Sequence, residues 1–129
     1  MGDPTAEADI EAIVKACGVK FVRVVDPSNL KEMTQAYVDA LAFPELSVII
    51  AKRACVLLEV RDRKKAGSFR IYRVDPEKCR FCHRCIKEYG CPALYNGDEK
   101  KTHINPTLCN GCGVCAQVCP FHAIEEAKE

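Results

Sequence analysis

Eight of the ten cysteines in this 129-residue chain fall between Cys79 and Cys119. They form two triplets with two residues between neighbours: Cys79, Cys82 and Cys85, then Cys109, Cys112 and Cys115. Each triplet runs on to a Cys-Pro, at Cys91-Pro92 and Cys119-Pro120. Three thiolates at this spacing wrap a loop around one face of a cubane iron–sulfur cluster, and the fourth ligand must come from elsewhere. Structural zinc also takes four cysteines, but as two separated C-x2-C pairs rather than triplets. Cysteines so close in sequence bridge one another poorly, which weighs against a disulfide framework. The pattern therefore predicts two [4Fe–4S] clusters, a chemistry of single-electron uptake and release.

The two triplets belong to a duplication. Val74-Asp75-Pro76-Glu77-Lys78-Cys79 matches Ile104-Asn105-Pro106-Thr107-Leu108-Cys109 thirty residues later, and repeats of this length are architectural units. The copies differ in the gap before the fourth cysteine, five residues (Ile86–Gly90) in the first and three in the second. They differ in loop chemistry as well. Arg80-Phe81 and His83-Arg84 make the first loop bulky and cationic, whereas Asn110-Gly111 and Gly113-Val114 make the second small and neutral. Glycine lets backbone amides approach a cluster closely, and proline after the last cysteine turns the chain away. Positive charge near a cluster favours its reduced form, so Arg80, Arg84 and Lys87 predict a higher potential for the first cluster and a docking rim for an acidic partner. The competing reading of the same cations is a solvated rim with no task. His83 is expected to be a surface or supporting group, since cysteines fill both sites.

The elements that must position these loops are divided unevenly. Residues 1–60 are poor in cysteine, and Cys17 and Cys55, set in apolar stretches, are expected in the core. Ile10, Ile13, Val14 and Cys17 predict an amphipathic helix over Glu7–Cys17, with Gly18 as its left-handed cap. Val19–Val25 is a β-branched run and predicts a strand. Asn29 and Glu32 resemble a capping box for a second helix, whose buried stripe is Leu30, Met33, Tyr37 and Leu41 and which Pro44 stops. Leu46–Ala51 predicts a second strand, too continuous in its apolar character for a sheet wet on one side. The charged run Arg61–Ser68 predicts a solvated linker, and residues 69–129 the cluster domain. The fold class expected is α+β, a partial α/β module in the order α-β-α-β followed by a two-cluster domain. Two parallel strands cannot bury their own faces, so the module must lie against another body.

The net charge of +1 gives no electrostatic footprint for nucleic acid. No apolar run nears the ~20 residues that span a bilayer. The polar, acidic residues Met1–Ala8 do not look like an export signal, and free thiols fit a reducing, cytoplasmic setting.

The second copy, C-x2-C-x2-C-x3-C-P, resembles the bacterial two-cluster ferredoxins, in which the fourth cysteine of each motif ligates the other cluster. That resemblance implies Cys79, Cys82, Cys85 and Cys119 for the first cluster, and Cys109, Cys112, Cys115 and Cys91 for the second. It also implies short strands at Ser68–Val74 and Lys101–Ile104, and short helices at Ile86–Tyr89 and Ala116–Val118. Over about Asp9–Ile124 the chain further resembles the C-terminal end of the large subunit of indolepyruvate ferredoxin oxidoreductase, in the 2-oxoacid:ferredoxin oxidoreductase superfamily. The residues that carry this are Val22-Arg23-Val24-Val25-Asp26-Pro27, Leu30-Lys31-Glu32, Ser47–Leu57 and the paired cysteine motifs. By this resemblance the first half is the last βαβ of a thiamine-diphosphate domain. Gly2-Asp3-Pro4 does not fit the family's Mg²⁺-diphosphate motif, and no catalytic residue can be assigned. Thiamine diphosphate and Mg²⁺ are therefore expected on a partner chain. The expectation is an electron-transfer component that works with a catalytic subunit and a soluble ferredoxin. The alternatives are a free-standing ferredoxin-like carrier with an N-terminal docking module, and a structural metal-binding adaptor.

Overall fold

The computed structural model describes residues 6–127, so that Gly2-Asp3-Pro4 lies outside the described residues. The chain divides into two compact units, residues 1–53 and 54–129. The division falls several residues before the linker expected at 61–68.

In the first unit Asp9 caps α1 (Ile10–Ala16) by accepting the Ala12 N–H at 2.9 Å, and Gly18 follows at φ +85°. Next come β1 (Phe21–Val25), α2 (Leu30–Ala42) and β2 (Ser47–Ala51). The strands are parallel, with Phe21 opposite Ser47 and Val25 opposite Ala51. Asn29 caps α2 through the Glu32 N–H, while the Glu32 carboxylate accepts from the Asn29 side-chain amide. Phe43 is extended, as the residue before Pro44 must be, and the helix stops there. The Arg53 guanidinium donates to both Asp26 oxygens at 3.2 Å, tying together the ends of the two strands.

The buried face of α2 differs from the one periodicity predicts. Ala36 is buried and Leu30 and Met33 are half-buried, whereas Tyr37 and Leu41 are exposed, Leu41 at 86%. A two-stranded sheet covers only a narrow strip of a helix, and the small Ala36 sets where they meet. Ile10 and Ile13 of α1 are exposed for the same reason. Cys17 and Cys55 are likewise exposed, not core residues, because each occupies a helix end, Cys17 after α1 and Cys55 before α3 (Val56–Lys65).

That third helix occupies most of the stretch expected as a linker. Val60 is buried, the basic residues Arg63–Lys65 fill the last turn where they suit the helix dipole, and Gly67 at φ +67° follows the cap. The charge run is its solvated face.

The rest of the second unit is the duplication in three dimensions. The first copy contributes β3 (Tyr72–Val74), α4 (Arg84–Lys87) and β4 (Leu94–Asn96); the second contributes β5 (Thr102–Ile104), α5 (Val114–Val118) and β6 (Ile124–Glu126). Strands do not pair within a copy. β3 pairs antiparallel with β6, Val74 opposite Ile124, and β4 with β5, Leu94 opposite Ile104. The local bonds repeat at the same interval. Asp75 N–H donates to the Ala123 carbonyl at 2.7 Å, and Asn105 N–H to the Ala93 carbonyl at 2.8 Å. The Asp75 and Asn105 side chains each accept the N–H two residues on, at 2.9 Å in both copies. Ala93 and Ala123 are both 1% exposed, and Cys85, Leu94, Cys115 and Ile124 form the core between the copies.

Candidate iron–sulfur centres

The cross-copy pairing explains how the cysteines are distributed. Cys119 runs into β6, which lies on β3 beside the first loop, and Cys91 runs into β4, which lies on β5 beside the second. Cys79, Cys82, Cys85 and Cys119 line one cleft together with Phe81, His83 and Phe121. Burial pushes the Cys85 thiol up; a Thr102 hydrogen bond offsets part of this, and the charges of Cys119, Cys82 and Cys79 add to it. Burial likewise pushes Cys115 up to about 12, reinforced by Cys112, Cys109 and Cys91. Each third cysteine thus feels the three others of its own expected set of four. Four cysteines gathered in this way are a donor set whose thiolate charge a metal core would balance.

Among the described residues, no three His, Cys, Asp or Glu side chains close on a point as the ligands of one ion do. Zinc draws its sulfurs in to ~2.3 Å from a single centre. A cubane takes one thiolate at each of its four irons, and each expected set supplies four cysteines. The donor set therefore fits a cluster.

The loops need left-handed backbone at two matched positions. Gly111 (φ +61°) and Gly113 (φ +75°) supply it in the second copy, and the first copy places Phe81 (φ +52°) and His83 (φ +62°) there. Their rings lie 4.2 Å apart in a tilted contact, and both line the cleft. Donors then reach the sulfurs. Tyr72 N–H and Gly111 N–H lie 3.5 and 3.4 Å from Cys109 Sγ, Ala123 N–H lies 3.3 Å from Cys119 Sγ, and the Tyr89 hydroxyl lies 3.2 Å from Cys112 Sγ. Burial and the hydrogen bond to Cys112 hold the Tyr89 phenol protonated.

The sets also differ in exposure, Cys82 being exposed and its counterpart Cys112 half-buried. The cationic rim of the first loop is weaker than its sequence suggests, since both Glu88 oxygens take hydrogen bonds from Arg84, at 2.8 and 3.1 Å.

Tyr89, Thr102 and Arg63 are supporting residues the sequence did not single out. Tyr72 and Thr102 stand thirty residues apart, so the repeat itself was a usable signal for Thr102. Arg63 reaches from α3 to donate to the Gly111 carbonyl at 3.1 Å and the Asn110 carbonyl at 3.4 Å. Hydrogen bonds to a charged group contribute about 1.5–3 kcal/mol each. Arg63→Met is expected to lower unfolding stability by about 2 kcal/mol in denaturant titration, and to speed loss of iron from the second loop alone. Equal loss from both loops would contradict this role for Arg63.

The family described as 4Fe-4S binding domain matches residues 102–125. The chain is 45% identical over 122 residues to indolepyruvate oxidoreductase subunit IorA of Pyrococcus abyssi, covering 93% of this chain and 19% of that protein. It is 40% identical over 127 residues to IorA of Archaeoglobus fulgidus, covering 98% of this chain and 20% of that one. Pyruvate synthase subunit PorD of Methanothermobacter marburgensis is 36% identical over 69 residues, 52% of this chain and 80% of PorD. The chain thus spans about a fifth of the length of the IorA relatives it matches.

A helix–strand fold and a 4Fe-4S binding domain define an iron–sulfur protein of the electron-transfer class. The chain belongs to the family of subunit PorD, of which it covers 80% at 36% identity, and shares its 4Fe-4S stretch with the IorA relatives.

Proposed function

We propose that this chain is the two-cluster electron-transfer component of an indolepyruvate-type 2-oxoacid ferredoxin oxidoreductase. It stands between a thiamine-diphosphate and Mg²⁺ site on another polypeptide and a soluble ferredoxin in the cytoplasm. The carrying observation is the one cleft that Cys79, Cys82 and Cys85 of the first copy line together with Cys119 of the second. On this reading Cys79, Cys82, Cys85 and Cys119 hold the first [4Fe–4S] cluster, and Cys109, Cys112, Cys115 and Cys91 the second. When bound, each cluster takes up and returns one electron.

The residues of the chain do the rest. Backbone N–H groups at Gly111, Tyr72 and Ala123 present their dipoles to the ligand sulfurs. The buried core between the copies excludes water from the side shared by the two sites, and Cys82 brings the first site to the surface. The domain organisation follows: residues 69–129 carry the clusters, α3 precedes them in the same unit, and the first unit, ending at Arg53, is an α/β piece that completes its sheet against a catalytic subunit. Exposed Ile10, Ile13, Tyr37, Val38, Leu41 and Leu46 support a partner for that piece, because a monomer gains nothing by leaving them wet. Among the described residues no helix is long and apolar enough to cross a membrane.

Anaerobic reconstitution of the full chain with iron and sulfide is expected to bind about eight irons and to give a visible absorbance that bleaches on reduction. Zinc retained in preference, with no reducible chromophore, would refute the cluster reading in favour of a structural adaptor. Expressed with a thiamine-diphosphate subunit, the chain is expected to co-purify with it. A monomer that reduces several acceptors without any catalytic partner would instead make it a free-standing carrier.

A further inference from the structure

The gap between Cys85 and Cys91 is two residues longer than its counterpart in the second copy, and the structure gives the surplus a place. α4 ends at Lys87, and the chain closes with the Gly90 N–H donating to the Ile86 carbonyl at 2.9 Å, Gly90 itself at φ +66°. This turn carries Tyr89 inward, half-buried among the core residues, with its hydroxyl 3.2 Å from Cys112 Sγ. Cys112 belongs to the other copy. The residue thirty places after Tyr89 is Cys119, so the duplication provides no matching tyrosine for the first site.

We propose that Tyr89 is a positioning residue that sets the potential of the second site by donating its hydroxyl hydrogen to Cys112. The inference rests on the ligand assignment proposed above. A ligating cysteine sulfur carries no proton, so in the O···S pair the phenol is the donor. Reduction adds one electron, and part of the added charge falls on the ligand sulfurs. A fixed hydrogen bond to one of them therefore stabilises the reduced state more than the oxidised one, raising the potential. The phenol keeps its proton throughout, and no other co-reactant is needed. The low dielectric of the half-buried site strengthens the effect relative to an amide at the surface.

The test uses the full reconstituted chain, titrated electrochemically with the two clusters followed separately by electron paramagnetic resonance. Tyr89→Phe is expected to leave iron content unchanged and to make one cluster harder to reduce by about tenfold in its equilibrium constant, about 59 mV for one electron. The other potential stays where it was. Installing a fluorotyrosine at position 89, a more acidic and stronger donor, is expected to move the same cluster in the opposite direction. This second variant decides the matter if the phenylalanine variant assembles poorly. Two unmoved potentials, or two that move together, would overturn the role of Tyr89. A chain that binds no cluster before any substitution would instead strike at the proposed function.

Discussion

Cys91→Ser is expected to cost the chain its second cluster while sparing the first, although Cys91 lies in the first copy of the motif. Three residues after Cys91 the chain enters β4, which pairs with β5 through Leu94 and Ile104, and the Ala93 carbonyl accepts the Asn105 N–H at 2.8 Å. Those contacts fasten Cys91 to the segment that leads into Cys109. By the same symmetry Cys119→Ser is expected to remove the first cluster only. Iron per chain should fall by about half in either variant, since each cubane carries an equal share. Pairs of substitutions give the sharper reading. Cys91→Ser combined with Cys112→Ser should lose no more iron than either alone, because both act on one cluster. Cys91→Ser combined with Cys82→Ser should lose nearly all of it. Changes at one shared site fail to add, and changes at separate sites add. The reverse pattern would mean that each motif keeps its own fourth cysteine, and the crossed assignment would fall.

Gly111→Ala is the second change expected to have a large effect. Gly111 is buried at φ +61°, a backbone region that a Cβ disfavours by roughly 1–2 kcal/mol. Space is the larger obstacle. A Cβ there would lie 2.1 Å from the Arg70 carbonyl oxygen and 3.3 Å from the Phe69 ring. The oxygen is backbone and cannot rotate aside, so the loop itself must move, taking with it the Gly111 N–H on Cys109 and the carbonyl that Arg63 holds. A loss of more than about 3 kcal/mol is expected, in the range that marks overpacking and strain together. Denaturant titration of the reconstituted protein, with iron counted before and after, would measure it. The matched position of the first copy already holds Phe81 at φ +52°, so Phe81→Ala should cost far less. Similar losses at both positions would show that the clash at Gly111 relaxes and does not control the loop.

The eight cysteines, their duplication and their chemistry were legible in the chain because cluster ligands are fixed by residue type and short-range spacing. The helix caps at Asn29 and Gly18 were legible for the same reason, each being decided within a few residues. The strands β4 and β6 were not, since three residues apiece leave too little alternation to read. α3 was missed because its charged face outweighs the apolar side that Val56 and Val60 mark, and only the fold offers that side a place to be buried. In the first unit, periodicity found α2 but misplaced its buried face, for Tyr37 and Leu41 have an apolar stripe's spacing and no surface here to lie on.

What the sequence determined by itself is the duplicated eight-cysteine pattern and the iron–sulfur chemistry that goes with it. Tertiary structure decided which residues attend them: Tyr89 on Cys112, Thr102 on Cys85, and Arg63 on the carbonyls of the second loop. The reason is distance along the chain. Ligand spacing is a local property, set by how far a loop of two residues can reach. A hydroxyl or guanidinium delivered from 17 to 48 residues away is placed by strand pairing between the copies and by the packing of α3, for which no local pattern codes.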